Sequence, residues 1–329
     1  MSVSHAAVGV VVGEGGQVDT GQVTALAAVF GQVADPRRAR GVRHRLSAVL
    51  TLVTLALLCG ARNFRQAADR VAEMPQALLA AADARSHPVL GIRVAPGRDT
   101  LRRLVALVDA AVLDRLVGAW LAERIGGPHP GCGLALDGKT VRNSGGGTGV
   151  DVQLFSAMRH DTAVVVAQVQ VPADTTEVTQ IKALLDQIDI TGMVITADAA
   201  HPSSDTATYL VDRGAGYVFT VKGNKPGLLA AITSRLPVAT AATSGHTSTE
   251  RRHGYRITRT IWTAPAGGVD FPGAAQVFRI RRDVYAPDGQ RISKQIIHGI
   301  TSLTSPPAVI AAHVRTHWWI EVRRDVALK

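Results

Sequence analysis

The chain has 329 residues, 46% of them hydrophobic, with 36 Lys and Arg against 26 Asp and Glu and a formal net charge of +10. The apolar fraction excludes wholesale disorder, and the length leaves room for two domains of ordinary size. The charge favours a polyanionic partner, because fixed positive charges concentrate phosphate backbone around them; the two cysteines, Cys59 and Cys132, exclude a disulfide scaffold and do not by themselves make a zinc cluster.

Both cysteines sit in apolar runs, which predicts buried thiols in a reducing compartment. The opening MSVSHAAVGVVVGEGG lacks the basic region, long apolar core and cleavage pattern of a secretory signal. The most hydrophobic stretch, Leu46 to Cys59, is too short to cross a bilayer and is followed by Arg62 and Arg65, so it reads as a packed helix. A cytoplasmic protein with no membrane partner is expected.

A short apolar helix is predicted over Val23 to Phe30. The segment ADPRRARGVRHR follows, with arginines at 37, 38, 40, 43 and 45 ahead of a helix over Leu46 to Leu58. Arg37, Arg38 and Arg40 are candidates for gripping phosphates; a solvated helix entry explains them equally well. Further helices are predicted over Phe64 to Leu79 and over Thr100 to Glu123, where Leu101, Leu104, Leu107, Val108, Leu113, Leu116 and Val117 recur at helical intervals. Asp99 or Thr100 is the expected cap. Residues 1–126 thus read as an all-helical domain, closed by the linker GGPHPGCG.

Beyond the linker, over residues 127–329, the period changes. Strands are predicted over Gly133 to Asp137, Val152 to Ser156 and Thr162 to Val171, then a helix over Thr176 to Gln187 and a buried strand over Val194 to Thr196. A helix over Asp205 to Arg213, a strand over Tyr217 to Val221 and a helix from Pro226 complete an α/β alternation that begins with an antiparallel meander. Residues 239–302 alternate β-branched and polar positions between Gly, Pro and Asp turns, which predicts a strand-rich insertion. A last helix is expected over Ser305 to Glu321, its prolines tolerated at the start.

The chemistry gathers at strand ends. Asp137, in LALDG, and Asp198, in VITADAA, each follow a short apolar strand, and carboxylates at the ends of neighbouring strands can converge. Oxygen ligands of this kind suit Mg²⁺ with phosphate substrates, and Glu321 on the last helix is a third candidate. Lys139 and Arg142 follow Asp137, and Lys222, Asn224 and Lys225 sit at another strand end; all five are candidate DNA contacts. Each has a plainer reading, since an Asp after a strand is often only a turn former. Asp161, Asp186 and Asp189 read as turn or helix-surface acids. A supporting role is expected for His201, and packing for Trp318 and Trp319. The glycines near Gly145 lack the Gly-Lys-Ser/Thr ending of an ATP loop.

The ordered blocks DPRRARGVRHRLSAVLTLVTLALLCGARNF, RDTLRRLVALVDAAVLDRLVGAWL, LALDGKTVRNS, ITADAAH, GAGYVFTVKGNKPGL, TSL and VRTHWWIE span nearly the whole chain. Together they resemble the insertion-sequence transposases of the DDE class, in particular the H-repeat-associated group. The resemblance implies a ribonuclease-H-like catalytic core with the strand-rich insertion, preceded by a helical accessory domain. It places a catalytic, metal-binding triad on Asp137, Asp198 and Glu321, served by Mg²⁺ with Mn²⁺ as a substitute. It implies binding of terminal inverted repeats in double-stranded DNA, strand cleavage and strand transfer into target DNA by a homodimer, and association with the bacterial nucleoid. The likeness departs at the end: the group's glutamate is followed by Asn and a longer tail, whereas Val322 follows Glu321 here. That departure raises an alternative, a truncated and catalytically inactive remnant that still binds DNA.

Overall fold

The computed structural model describes residues 19–40, 42–142, 144, 149–236 and 245–327, with side chains described as far as residue 318. The chain divides into two compact units, one formed by Met1–Gly127 with two short later segments, the other by Pro128–Ala163 and Val169–Val326.

Described residues of the first unit form α1 (Thr20–Phe30), α2 (Leu46–Leu58), α3 (Phe64–Ala72), α4 (Gln76–Ala81), α5 (Arg98–Val105) and α6 (Ala110–Arg124), with one isolated antiparallel bridge, Ser86 to Arg93. Helix α2 is the centre: Leu46, Val49, Leu50, Leu52, Val53 and Leu55 are all buried. Two expected helices are each split in two. Pro75 lacks the N–H and adopts an extended ψ of 147°, so it ends one helix and starts the next. Asp109 does the same by side chain, its carboxylate accepting from the Ala111 and Val112 N–H groups at 2.9 and 3.3 Å. The cap of α5 is Gly97, leaving Asp99 in the first turn, where its charge complements the helix dipole. Cys59 closes α2 at the surface and is exposed, contrary to its apolar neighbourhood in sequence; Cys132 is buried.

The second unit is built on a nine-stranded mixed sheet in the order β3-β2-β1-β4-β5-β9-β8-β7-β6. The strands are β1 (Gly133–Val141), β2 (Val152–Arg159), β3 (Val165–Val171), β4 (Val194–Ala197), β5 (Gly216–Val221), β6 (His246–Arg252), β7 (Tyr255–Pro265), β8 (Gln276–Tyr285) and β9 (Arg291–Thr301). Strand β1 runs antiparallel to β2 and parallel to β4, and β4 is parallel to β5. Parallel neighbours need crossover connections, which α7 (Glu177–Leu185) and α8 (Ser204–Asp212) supply. All four residues of β4 are buried, as a strand covered on both faces requires. Helix α9 (Pro226–Arg235) follows β5, and α10 (Pro307–Ala327) ends the unit. Ile310 and Val314 of α10 pack on Val194, Val218, Ile261, Phe278 and Ile280, each such side chain contributing roughly 1.5–3 kcal/mol by leaving water.

The strand-rich segment joins the same sheet, because β9 pairs antiparallel with β5. Strand β6, HTSTERR, carries no apolar alternation and escapes a pattern-based reading; hydroxyl contacts from Thr247 to Thr260 and from Thr249 to Thr258 accompany its pairing with β7. The β6–β7 turn is His253-Gly254, both at positive φ (49° and 81°), the twist that a two-residue hairpin demands. Gly299 of β9 is fixed by close approach: a Cβ there would lie 2.1 Å from the Phe278 ring and 2.4 Å from the Phe219 carbonyl oxygen. Gly299→Ala is therefore expected to destabilise the protein by roughly 1–3 kcal/mol. Chemical unfolding checks this, and an unchanged midpoint would contradict the packing.

Candidate active site

The β1–β4 pairing ends at Leu136 opposite Ala197, so Asp137 and Asp198 are the first residues past the point where these neighbouring parallel strands part. Strand β1 itself continues to Val141 along β2, which places Asp137 mid-strand rather than at a strand end, opposite Ser156. Asp137 lies on β1 and Asp198 just past the end of β4, its parallel neighbour about 4.8 Å away by sheet geometry, at the crevice found outside the carboxyl ends of such strands. Ala135 pairs with Thr196, so Asp137, two residues on, continues the sheet face that carries Thr196.

Asp198 is half-buried, and burial alone would raise its carboxyl. The Ala199 backbone N–H, the Lys222 ammonium and His317 outweigh that and hold it below the usual carboxylate value. Lys222 donates to Oδ1 at 3.0 Å and to Oδ2 at 3.4 Å. The carboxylate is thus ionised at neutral pH and already accepts a cation. Two half-buried carboxylates at one sheet crevice are hard oxygen donors of the kind a divalent cation such as Mg²⁺ requires.

On the same face, buried Thr196 joins two histidines: its Oγ1 lies 3.0 Å from His160 Nε2 and 2.9 Å from His317 Nδ1. His317 belongs to α10, so this contact ties that helix to β4 two residues before Asp198. Burial, reinforced by His313 and His317, pushes the His160 imidazole down to about 3. A histidine with a depressed folded value contributes stability that is present above its ordinary value and is lost as pH falls toward the folded one. Between about pH 6.5 and 3 the wild type is expected to lose stability, and His160→Gln to lose less of it, as read by thermal unfolding across that range. Parallel pH profiles for the two proteins would contradict this.

The opposite face carries a second device. Side chains alternate along β1, so Gly138 opens away from Asp137. A Cβ at Gly138 would fall 1.7 Å from Glu177 Oε1, so the Glu177 carboxylate fills the space that glycine leaves. Glu177 accepts from Gln153 Nε2 at 2.6 Å and meets His201 Nε2 at 2.9 Å. His201 Nδ1 lies 3.3 Å from the Asp198 carbonyl oxygen, and its ring stacks on Phe155 with centroids 5.3 Å apart. Glu177 and His201 thus brace the turn that carries Asp198. Sequence reasoning singled out His201 for support and missed Glu177, whose only signal was the glycine beside Asp137.

The basic candidates part company. Lys139, two residues beyond Asp137, shares its face of β1, and Arg142 is exposed just past the strand. Lys222 reaches Asp198, whereas Asn224 Nδ2 donates to the Ala199 carbonyl at 2.9 Å and so holds the same turn. Lys225 is exposed ahead of α9. Arg37, Arg38 and Arg40 lie in the other unit; Arg37 forks onto the Asp35 carboxylate at 2.8 and 2.6 Å and onto the His44 carbonyl, while Arg38 and Arg40 are exposed. Position 321 falls within α10, and the Glu321 side chain lies outside the described residues, as does that of Trp319. Trp318 packs against the core cluster.

Among the described residues, His129, Cys132 and Asp161 also bring ligand atoms within 4.8 Å of one another. Their chemistry suits a hard cation poorly: Asp161 is forked by the Arg159 guanidinium, and burial followed by the Asp161 charge pushes the Cys132 thiol up. No helix among the described residues is long and apolar enough to cross a membrane.

Residues 128–323 match the family model described as "Transposase DDE domain", and residues 27–121 match one described as "DDE_Tnp_1-associated". The chain is 28% identical over 309 residues to "Putative transposase YncI" of Escherichia coli O157:H7, covering 88% of this chain and 75% of the relative. It is 28% identical over 232 residues to "H repeat-associated putative transposase YbfD" of Escherichia coli (strain K12), covering 69% and 88%. A protein of Xanthobacter autotrophicus, "Uncharacterized protein in dhlA 3'region", is 33% identical over 244 residues, covering 71% and 78%.

Proposed function

Because the chain belongs to the DDE transposase family, within its H-repeat-associated group, we propose that it cuts DNA strands at the inverted-repeat ends of an insertion element and joins them to target DNA. The observation that carries this reading is the placement of Asp137 and Asp198 side by side where β1 and β4 part. Glu321 is the third acid, one helical turn beyond His317 on α10.

Asp137, Asp198 and Glu321 would hold Mg²⁺, or Mn²⁺ in its place. A divalent ion bound there supplies Lewis-acid polarisation of the phosphodiester and lowers the pKa of an attacking water. The chain's own groups do the remaining work. Lys222 balances the Asp198 charge before substrate arrives; Lys139 and Arg142 approach phosphates flanking the cut; Glu177, His201 and Asn224 keep the Asp198 turn in place. Attack by water nicks a strand, and attack by the released 3′-hydroxyl on a second duplex joins it. No covalent link to the protein is needed.

We read the β3-β2-β1-β4-β5 order, with β1 antiparallel to β2 and parallel to β4, as a ribonuclease-H-like core extended by β9 to β6. Residues 1–126 are the accessory domain, with Arg38 and Arg40 free of the fork that engages Arg37, and residues 127–329 the catalytic domain. Two protomers on paired ends, associated with the nucleoid, fit the chemistry of joining. A test incubates the protein with a duplex carrying the element's inverted repeat. Mg²⁺-dependent nicks at the repeat boundary and joined products are expected; binding without cleavage in either Mg²⁺ or Mn²⁺ would favour an inactive DNA-binding remnant.

A further inference from the structure

We propose that one face of the β6–β9 extension is a phosphate-binding surface that holds the DNA duplex flanking the scissile phosphate; the proposal rests on reading the acidic crevice as a DNA-cleaving site. Directly opposed residues in antiparallel strands share a face. Ser248 opposes Arg259, Arg259 opposes Arg282, and Arg282 opposes Gln295, so a single row crosses all four strands. Two residues along each of β7, β8 and β9 the same face carries Ile261, Ile280 and Ile297, and there Ile310 and Val314 of α10 pack on Ile261 and Ile280. On this face the arginine pair therefore lies between the apolar row beneath the helix and a second apolar pair, Ile257 opposite Val284.

Two arginines directly opposite each other on neighbouring strands destabilise a sheet. Only one receives an acid: Glu250 meets Arg259 at 2.9 Å, and no carboxylate pairs with Arg282 among the described residues. Three arginines of the other face are engaged locally. Arg281 pairs with Asp283 at 2.7 Å, Arg256 lies over the Tyr285 ring at 4.1 Å and Arg279 over Trp262 at 4.8 Å. The arginine row borders a cavity of about 940 Å³ whose wall also includes Asp198, Lys222 and Arg315. The cation-rich wall thus runs from the acidic crevice onto the extension. Three inter-strand steps span about 14 Å, roughly four nucleotide rises along one strand. Arg251, Arg252, Arg282, Arg315 and Lys222 all line this cavity, so a repeating polyanion can meet several cations at once where a single small anion would meet one or two.

The test uses the full chain, a fluorescent duplex and EDTA, so that binding is read apart from chemistry. In the double variant Arg259→Ala/Arg282→Ala, affinity is expected to fall at least tenfold at low salt. The slope of log K against log salt should shrink by about two, close to 0.9 per lost phosphate contact, and Arg259→Lys/Arg282→Lys should recover most of the loss. Unchanged affinity and slope would overturn the proposal. A second measurement keeps both arginines: a photo-crosslinker on Gln295→Cys, in the row, is expected to label the duplex, and one on Lys294→Cys, on the other face, is not. Labelling from Lys294→Cys alone would overturn the proposal even if the alanine variant failed to fold. Binding and crosslinking without metal-dependent cleavage would overturn the catalytic reading and leave this surface standing.

Discussion

Asp198→Ala is expected to abolish strand cleavage and joining, with a rate loss on the order of 10³-fold or more. A divalent cation at a phosphodiester supplies several kcal/mol of charge stabilisation, and each 1.4 kcal/mol or so is a decade in rate. Little of that loss will come from unfolding, because the Lys222 ammonium that loses its partner is 60% exposed on its side chain and a surface pair of this kind contributes about 1 kcal/mol at most. The carboxyl is held below its usual value by its neighbours, so Asp198→Asn, which keeps the shape and removes the charge, should fail as completely. Asp137→Ala should behave alike. Asp189→Ala is the control: its carboxylate accepts from the Thr191 N–H at 2.9 Å, and cleavage should persist. Gel assays on labelled duplex read all four. Activity in Asp198→Asn within tenfold of the wild type would refute a charge-dependent role.

The second large effect concerns a residue that need not touch DNA. His317 is 4% exposed and its Nδ1 meets Thr196 Oγ1 at 2.9 Å. Thr196 lies two residues before Asp198 in a strand with no freedom to shift, since every residue of β4 is buried. The contact therefore fixes α10 against the strand that leads to the acidic crevice, and Glu321 follows one turn later. Displacing a catalytic group by 1 Å can cost about 10²-fold. His317→Ala should lower cleavage by roughly that factor while DNA binding in EDTA is retained, and Thr196→Val should act in the same direction. His317→Asn, which keeps a polar reach to Thr196, should restore part of the rate. If the alanine variant cleaves at the wild-type rate, α10 is positioned by its apolar contacts alone.

These expectations show where sequence was informative. The apolar runs LAL and VITA are too short for helices and long enough for buried strands, so Asp137 and Asp198 could be placed at strand positions. That Asp198 follows the strand next to the one carrying Asp137 depends on the crossover between β1 and β4, which no local pattern encodes. Asp137 proved to be mid-strand because β2 pairs it onward to Val141, a long-range contact. Pro75 and Asp109 broke helices whose apolar period ran on through them, and backbone chemistry prevailed over periodicity. Strand β6 has no apolar face, and Glu177 looked like one surface acid among many. The arginines of β7 and β8 read as scattered charges until antiparallel register set Arg259 opposite Arg282.

In the proposed function the carboxylates of Asp137 and Asp198 hold the metal that activates cleavage. Exchanging each for a thiol tests it most directly, since soft sulfur ligates Mg²⁺ poorly and Mn²⁺ better. Asp137→Cys and Asp198→Cys should be inactive on an inverted-repeat duplex in Mg²⁺ and regain measurable nicking in Mn²⁺, with the wild type active in both. Wild-type cleavage that survives EDTA, or cysteine variants that cut at the wild-type rate in Mg²⁺, would contradict it.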